Sequence, residues 1–327
     1  MKRLLALWPG LLLSVVLAVP AWALGELAPI IGAPVFAIVI GMVLSFIRRP
    51  GAFEAGIQIA GKKVLQYAII FLGFSMDLGV VVRVGVQSLA VMLFTLSAAF
   101  VTSYLVGRAL KLDANLKVLI GVGTSICGGS AIAAIAPVIE ASDEDVTFAI
   151  STIFLFNIVA VFLFPALGHL MRMSETAFGL WAGTAINDTS SVVAAAFSFS
   201  DAAGRLATVV KLTRTLMIIP IALALAFARA RGARSKGGSL DVGKIVPWFV
   251  LGFLAASLAR SLRFLPDQAN SALSDIGKFG ICVAMAAIGL NANPVKLLRN
   301  GPRPILLGLA CWAAVALVSL AVQRTGL

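Results

Sequence analysis

Charge is what this chain has least of. Only 12% of its 327 residues are Asp, Glu, Lys or Arg, against 60% that are hydrophobic, and the mean hydropathy is +1.03. No soluble core of this size could bury so much apolar surface, which excludes a water-soluble globule and leaves a polytopic membrane protein. Cysteine occurs three times, as Cys127, Cys282 and Cys311, each in a different apolar run. Without a CxxC or any paired spacing, they are expected to be buried free thiols, and neither a disulfide framework nor a metal site is expected. Histidine occurs once, and a lone His169 near a helix end reads as structural. HExxH, GxSxG and paired carboxylates beside a Ser or Cys are all missing, so no catalytic residue and no cofactor is assigned. Acids are scarcer than bases, 14 against 26, giving a net charge of +12. The Lys and Arg gather in short loops between apolar runs rather than along one face, so they read as orientation in a bilayer and not as a nucleic-acid surface.

What the chain does have is apolar runs. Eleven candidate spans can be drawn, at about 4–24, 30–47, 64–82, 86–107, 117–140, 146–168, 176–199, 206–228, 245–262, 274–292 and 303–323, each able to cross a hydrocarbon core of about 30 Å. The fold expected is all-α, with 10 to 11 transmembrane helices. A cytoplasmic N-terminus puts most Lys and Arg on the cytoplasmic side. Residues 1–24 combine a charged start, an apolar stretch and an A-x-A at Ala21–Ala23, which fits an anchor or a cleaved signal. Residues 25–327 form one transporter domain, with halves at about 30–170 and 176–323. The polar stretch 228–244, rich in Gly, Ser and Arg, reads as a flexible loop, and the five Trp, mostly near run ends, read as interface anchors.

Two internal likenesses stand out. GKKVLQYAIIFLGFSMDLG from Gly61 resembles GKFGICVAMAAIGLNANP from Gly277, and the two run in opposite directions in this topology, as inverted repeats do. GTSICGGSAIAAIA at 123–136 resembles GTAINDTSSVVAAA at 183–196, 60 residues on. As simple spans that second pair would run parallel, so either one member is a re-entrant hairpin or the likeness reflects shared unwinding chemistry.

Those same stretches carry the candidate chemistry. Gly121, Gly123, Gly128 and Gly129 weaken a helix by about 1 kcal/mol each relative to Ala. Thr124, Ser125, Cys127 and Ser130 stand beside them, and Thr184, Asn187, Asp188, Thr189 and Ser190 crowd the sister stretch. Loosened backbone at membrane depth is tolerated only where protein covers it or a watery cavity meets it, so discontinuous helices around a bound solute are expected. Close packing of small residues is the alternative, and it does not require an acid. Lys211 and Arg214 lie six and nine residues beyond Arg205, roughly 9 and 14 Å into their span, on nearly one helix face. Two cations at that depth need partners. Against one anion, Asp188, they leave about one positive charge over, which points to a small anionic substrate with Asp188 in a coupling role; the alternative is an Asp188–Arg214 pair with Lys211 snorkelling. Asn157 could line the same cavity or bond between helices. Gln66 and Asp77 read as interfacial, and Asn291, Asn293 and Pro294 as helix-ending turn residues.

GVGTSICGGSAIAAIAPVI followed by GTAINDTSSVVAAA resembles the YeiH-like family of bacterial inner-membrane proteins, described as sulfate exporters. The resemblance covers about residues 30–323 and implies a multi-pass secondary carrier of the inner membrane that exports a sulfate- or sulfite-like anion. The alternative is a sodium- or proton-coupled carrier of organic anions such as sulfonates. More distantly, the first motif looks like the broken crossing helix of bile acid symporter and sodium/proton antiporter folds, which implies a core moving against a static panel. The partners implied are the small anion and the lipid bilayer, with a homo-oligomer compatible with both.

Overall fold

A computed structural model describes residues 7–28, 31–232, 248–292 and 301–325. The N-terminal charges, the polar stretch from residue 233 onward, Asn293 and Pro294 lie outside the described residues. Among the described residues every regular element is a helix, in the order α1 Trp8–Leu27, α2 Ala33–Ser45, α3 Glu54–Ile59, a π turn Ala60–Val64, α4 Leu65–Gly73 and α5 Leu78–Ala109. Then come α6 Ala114–Ser125, α7 Gly129–Ile135, α8 Asp143–Leu170, α9 Glu175–Ala185 and α10 Thr189–Phe199. The chain ends in α11 Asp201–Leu216, α12 Ile218–Gly232, α13 Trp248–Ser261, α14 Asp267–Asn291 and α15 Pro302–Arg324. The all-α, polytopic expectation holds. Among the described residues, six helical stretches are long and apolar enough to cross a membrane: α1, α5, α8, residues 201–225, α14 and α15.

The helices gather into two packed groups. In one, α1, α2, α3, α4 and α13 pack around or beside α14. Here the small residues bring backbones together: Gly289 lies against the Ile38 carbonyl and the Cα of Gly41, a spacing that no side chain would permit. The two stretches likened to each other in sequence, around α4 and the α14 segment from Gly277, pack face to face, with Gly277 on the Ala68 carbonyl and Gly280 on the Ala68 side chain. In the other group α15 packs on α5 and α8, while α11 supports both α9 and α10. The groups meet where α10 touches α2 and α14, and where α13 touches α5. An ion pair between Lys278 of α14 and Asp201 of α11 ties them at one edge.

The segments drawn as spans at 117–140 and 176–199 do not run straight through. A Cβ built on Gly123 would sit 2.8 Å from Cδ1 of Ile132, nine residues on, whereas a continuous helix would separate the two residues by roughly 13 Å. The start of α6 (Asp113, Leu116) and the start of α8 (Ser142, Phe148) wall one surface pocket. Likewise the rings of Phe178 and Phe199 stack with centroids 4.0 Å apart, although 21 residues of straight helix would put them about 30 Å apart. Both α6–α7 and α9–α10 are therefore hairpins that turn back on themselves, which removes the conflict between the parallel copies. The breaks fall at matching places, Ser125 and Ala185 before them and Gly129 and Thr189 after them, each pair 60 residues apart.

Aromatic packing seats the second hairpin. Phe164 stacks on Trp181 at 4.2 Å, and Phe164 and Phe156 both lie on Trp312, while His169 stacks on Phe199 at 4.4 Å. Trp181 and Trp312, read from the sequence as interface anchors, are interior residues, because the folded-back α9 presses them against α8 and α15.

The hairpins make a topological prediction. Single cysteines at Asp113 and Ser142 should react with a membrane-impermeant thiol reagent from the same side, and cysteines at Ser174 and Asp201 from the other. Labelling of positions 113 and 142 from opposite sides would mean that α6–α7 crosses the membrane.

Candidate functional site

A hairpin that ends inside a membrane leaves its last carbonyls without partners. In α6 these belong to Thr124, Ser125 and Ile126, and in α9 to Thr184, Ile186 and Asn187. Lys211 and Arg214, one helical turn apart on α11, reach all six. The Lys211 ammonium donates to the carbonyls of Ile126 at 2.8 Å, Ile186 at 3.0 Å and Asn187. The Arg214 guanidinium donates to Thr124 at 2.7 Å, to Ser125 and to Thr184. Both side chains are 0% exposed. Each helix C-terminus carries about half a negative charge, so the two cations hold together two dipole ends that would otherwise repel. No ion pair joins Asp188 to either cation among the described residues, which sets aside both the Asp188–Arg214 pair and a snorkelling Lys211.

Like ends also meet on the other side of the tips. Gly128 has φ +67° and ψ −133°, a conformation open in practice to glycine alone. The turn carries it up to Asp188, where an added Cβ would lie 3.4 Å from the Asp188 Cβ. Asp188 caps α10, its Oδ2 accepting from the Ser190 amide at 3.0 Å and from the Ser190 hydroxyl. The Asp188 amide in turn donates to Oδ1 of Asn157 at 3.2 Å. One negative carboxylate thus faces the positive ends of α7 and α10.

A cavity of about 330 Å³ opens where α7 and α10 begin. Gly129, Ser130, Asn157, Asp188, Thr189 and Ser190, all singled out in the sequence, line it. The remaining sequence candidates stand behind the tips. Gly123 packs on Ile132 and Ile153, and the Ser125 hydroxyl bonds back to the Val122 carbonyl. Cys127 and Gly128 form the buried first tip, and Thr184 bonds to Ser319 at 2.6 Å. The Thr124 hydroxyl and both amide atoms of Asn187 are buried without a hydrogen-bond partner. Lys211 and Arg214 belong to this group as well: their donors meet carbonyls, so they do not line the cavity.

The opposite wall was missed. It comes from the π turn and α4, with Gly61, Lys62 and Gln66, closed by Phe249 and Ile288. Gln66 was read as interfacial, but its Oε1 is buried and has no partner. Lys62 was counted only as an orienting charge. The π turn that presents it is a device frequent at functional sites, and its signal, an amide and a lysine in an otherwise apolar helix, could have been noticed.

The three cysteines are buried and unpaired, as expected. Among the described residues no cluster of three His, Cys, Asp or Glu side chains is placed to hold a metal.

This is the build of an all-α, multi-pass membrane protein with a polar cavity at the tips of two hairpins. The family described as conserved hypothetical protein 698 matches residues 9–308, and the chain belongs to that family. A UPF0324 membrane protein of Streptococcus pyogenes serotype M3 is 49% identical over 326 residues, covering 96% of each chain. One from Streptococcus agalactiae serotype V is 47% identical over 325 residues, with the same coverage. One from Fusobacterium nucleatum is 42% identical over 336 residues, covering 96% of this chain and 97% of the relative.

Replacing Arg214 or Lys211 by Met strands three buried carbonyls each time, at about 1–3 kcal/mol per group. Thermal unfolding in detergent should show either variant strongly destabilised, and Ser130→Ala changed by no more than about 0.5 kcal/mol. An unaltered midpoint in Arg214→Met would show that the capping contributes nothing.

Proposed function

We propose that the protein is a secondary carrier of a small inorganic oxyanion, sulfate- or sulfite-like, with the cavity at the hairpin tips as its solute site and export as its direction. The observation that carries this reading is the chamber itself: amide-bearing helix starts, hydroxyls and Lys62 converge on one space inside an otherwise apolar bundle. Discontinuous helices that meet near mid-membrane are a recurrent way of building a carrier site. Charge supports an anion. Lys211 and Arg214 outweigh the two helix C-termini they cap by about one unit, while Asp188 about balances the two helix N-termini, so the tip region keeps a positive surplus. An inside-negative potential of 100 mV drives out a monoanion with about 2.3 kcal/mol and a dianion with about twice that.

One observation favours a second, coupled reading. Asp188 lines the cavity and makes no ion pair among the described residues, feeling Lys211 only as a field, which suits it to bind a proton or sodium ion travelling with an organic anion such as a sulfonate.

Counterflow of labelled sulfite and sulfate in proteoliposomes tests the first reading. Wild-type protein should accumulate label against unlabelled anion inside, and Asn157→Leu should lower the rate about tenfold, in line with the loss of one hydrogen bond to a charged group. No exchange of either anion would remove the oxyanion reading. Gradient-driven uptake that collapses in Asp188→Asn, while counterflow persists, would establish the coupled one.

A further inference from the structure

The polar atoms around the cavity differ in what they have left to offer. Oδ2 of Asp188 is saturated by Ser190, whereas Oδ1 has no partner among the described residues and is not enclosed by protein. Asn157 is 3% exposed, and its Oδ1 is committed to the Asp188 amide. Because that amide needs an oxygen, the other end of the side chain is Nδ2, a donor without a protein partner on the cavity wall. The Thr189 and Ser130 hydroxyls likewise have no partner among the described residues and line the same space. Lys62 contributes a positive charge from the opposite wall.

The chamber therefore presents several donors and one strong acceptor within a single small volume. A fully deprotonated oxyanion satisfies the donors but sets its own charge against Asp188, and such a clash is severe where the dielectric is low. An oxyanion that still carries a proton satisfies both sets. Its bare oxygens accept from Asn157 Nδ2, Thr189 and Ser130, and its own O–H donates to Asp188 Oδ1. Resting on the carrier reading above, we propose that the site selects singly charged oxyanions bearing one O–H group, of which hydrogensulfite is the sulfur-containing example, and that Asp188 is the residue that rejects sulfate.

The other groups around the cavity do not alter this. Phe249 of α13, Ile288 of α14 and Ile150, Ile153 and Phe154 of α8 are apolar. Lys211 and Arg214 of α11 stand behind the tips with their donors on carbonyls, Lys211 acting on Asp188 through its field alone, and the buried Cys127 thiol lies in the first tip beside them. Lys62 and Asp188 are the titratable side chains that line the cavity. A site built to receive a hydroxyl discriminates strongly against an analogue that lacks one, since the seated solute then covers the acceptor without satisfying it.

Competition against labelled sulfite exchange in proteoliposomes tests this, with sulfate and methanesulfonate as competitors. Sulfite takes up a proton near neutral pH. Sulfate is a dianion there, and methanesulfonate has the single charge without the O–H. In wild-type protein both competitors should be weaker than unlabelled sulfite by about 100-fold or more, and exchange at fixed total sulfite should rise from mildly alkaline to mildly acidic pH. Asp188→Asn keeps the cap on α10, which an unchanged melting profile would verify, and offers a donor in place of the acceptor. It should bring methanesulfonate and sulfate to within about tenfold of sulfite. Methanesulfonate competing as well as sulfite in wild-type protein would overturn the proposal and leave the carrier reading standing. A preference unchanged in Asp188→Asn would do the same. Absence of labelled sulfite exchange in wild-type protein would overturn the proposal, and absence of labelled sulfate exchange as well would overturn the carrier reading with it.

Discussion

Two helices that stop in the middle of an apolar bundle create a problem that water would normally solve. Their final carbonyls converge from opposite sides, add up to about a full negative charge, and have no solvent to meet. In this protein Lys211 and Arg214 supply six hydrogen bonds to those carbonyls from one face of α11. Everything at the centre of the molecule follows from that arrangement. It brings the hairpin tips together, orients the starts of α7 and α10 toward each other, and leaves a chamber on the far side of the tips.

The chamber has a simple electrostatic logic. Cations gather where helices end and a carboxylate sits where helices begin, so every dipole meets an opposite charge. The positive residue of that account reaches the cavity as a field rather than as a contact. The cavity wall itself carries the Asn157 amide, the Thr189 and Ser130 hydroxyls, and Lys62 from the π turn. Hydrogen-bonding inventory, more than formal charge, then decides what the site can hold.

The two groups of helices give the chamber its walls. The tips, α8 and α10 come from one group, whereas Lys62, Gln66, Phe249 and Ile288 come from the other. The shared wall means that sliding one group against the other would reshape the cavity. Asp201 and Lys278 tie the groups by a partly exposed ion pair, a class of contact worth at most about 1 kcal/mol. The tight contact of Gly41 with Gly289 lies inside one group, while Gly32, at the start of α2, meets Ser198 of α10 across the boundary between the two.

Composition alone established the membrane setting, because apolar surface on this scale has no other place to go. Glycine, hydroxyl and acid in two matching stretches located both breaks, since those residues signal loosened backbone wherever they interrupt an apolar run. Charge at depth singled out Lys211, Arg214 and Asp188 on energetic grounds. Tertiary structure decided the rest. Whether a broken helix continues or turns back depends on what packs beside it, and Phe178 stacking on Phe199 is invisible to periodicity. Which polar atoms remain free is also a property of the assembled molecule, because carbonyls recruited from residues 85 to 90 positions away consumed the donors that sequence had reserved for a solute. Local patterns reveal where backbone is weak, while long-range contact determines which partner satisfies it.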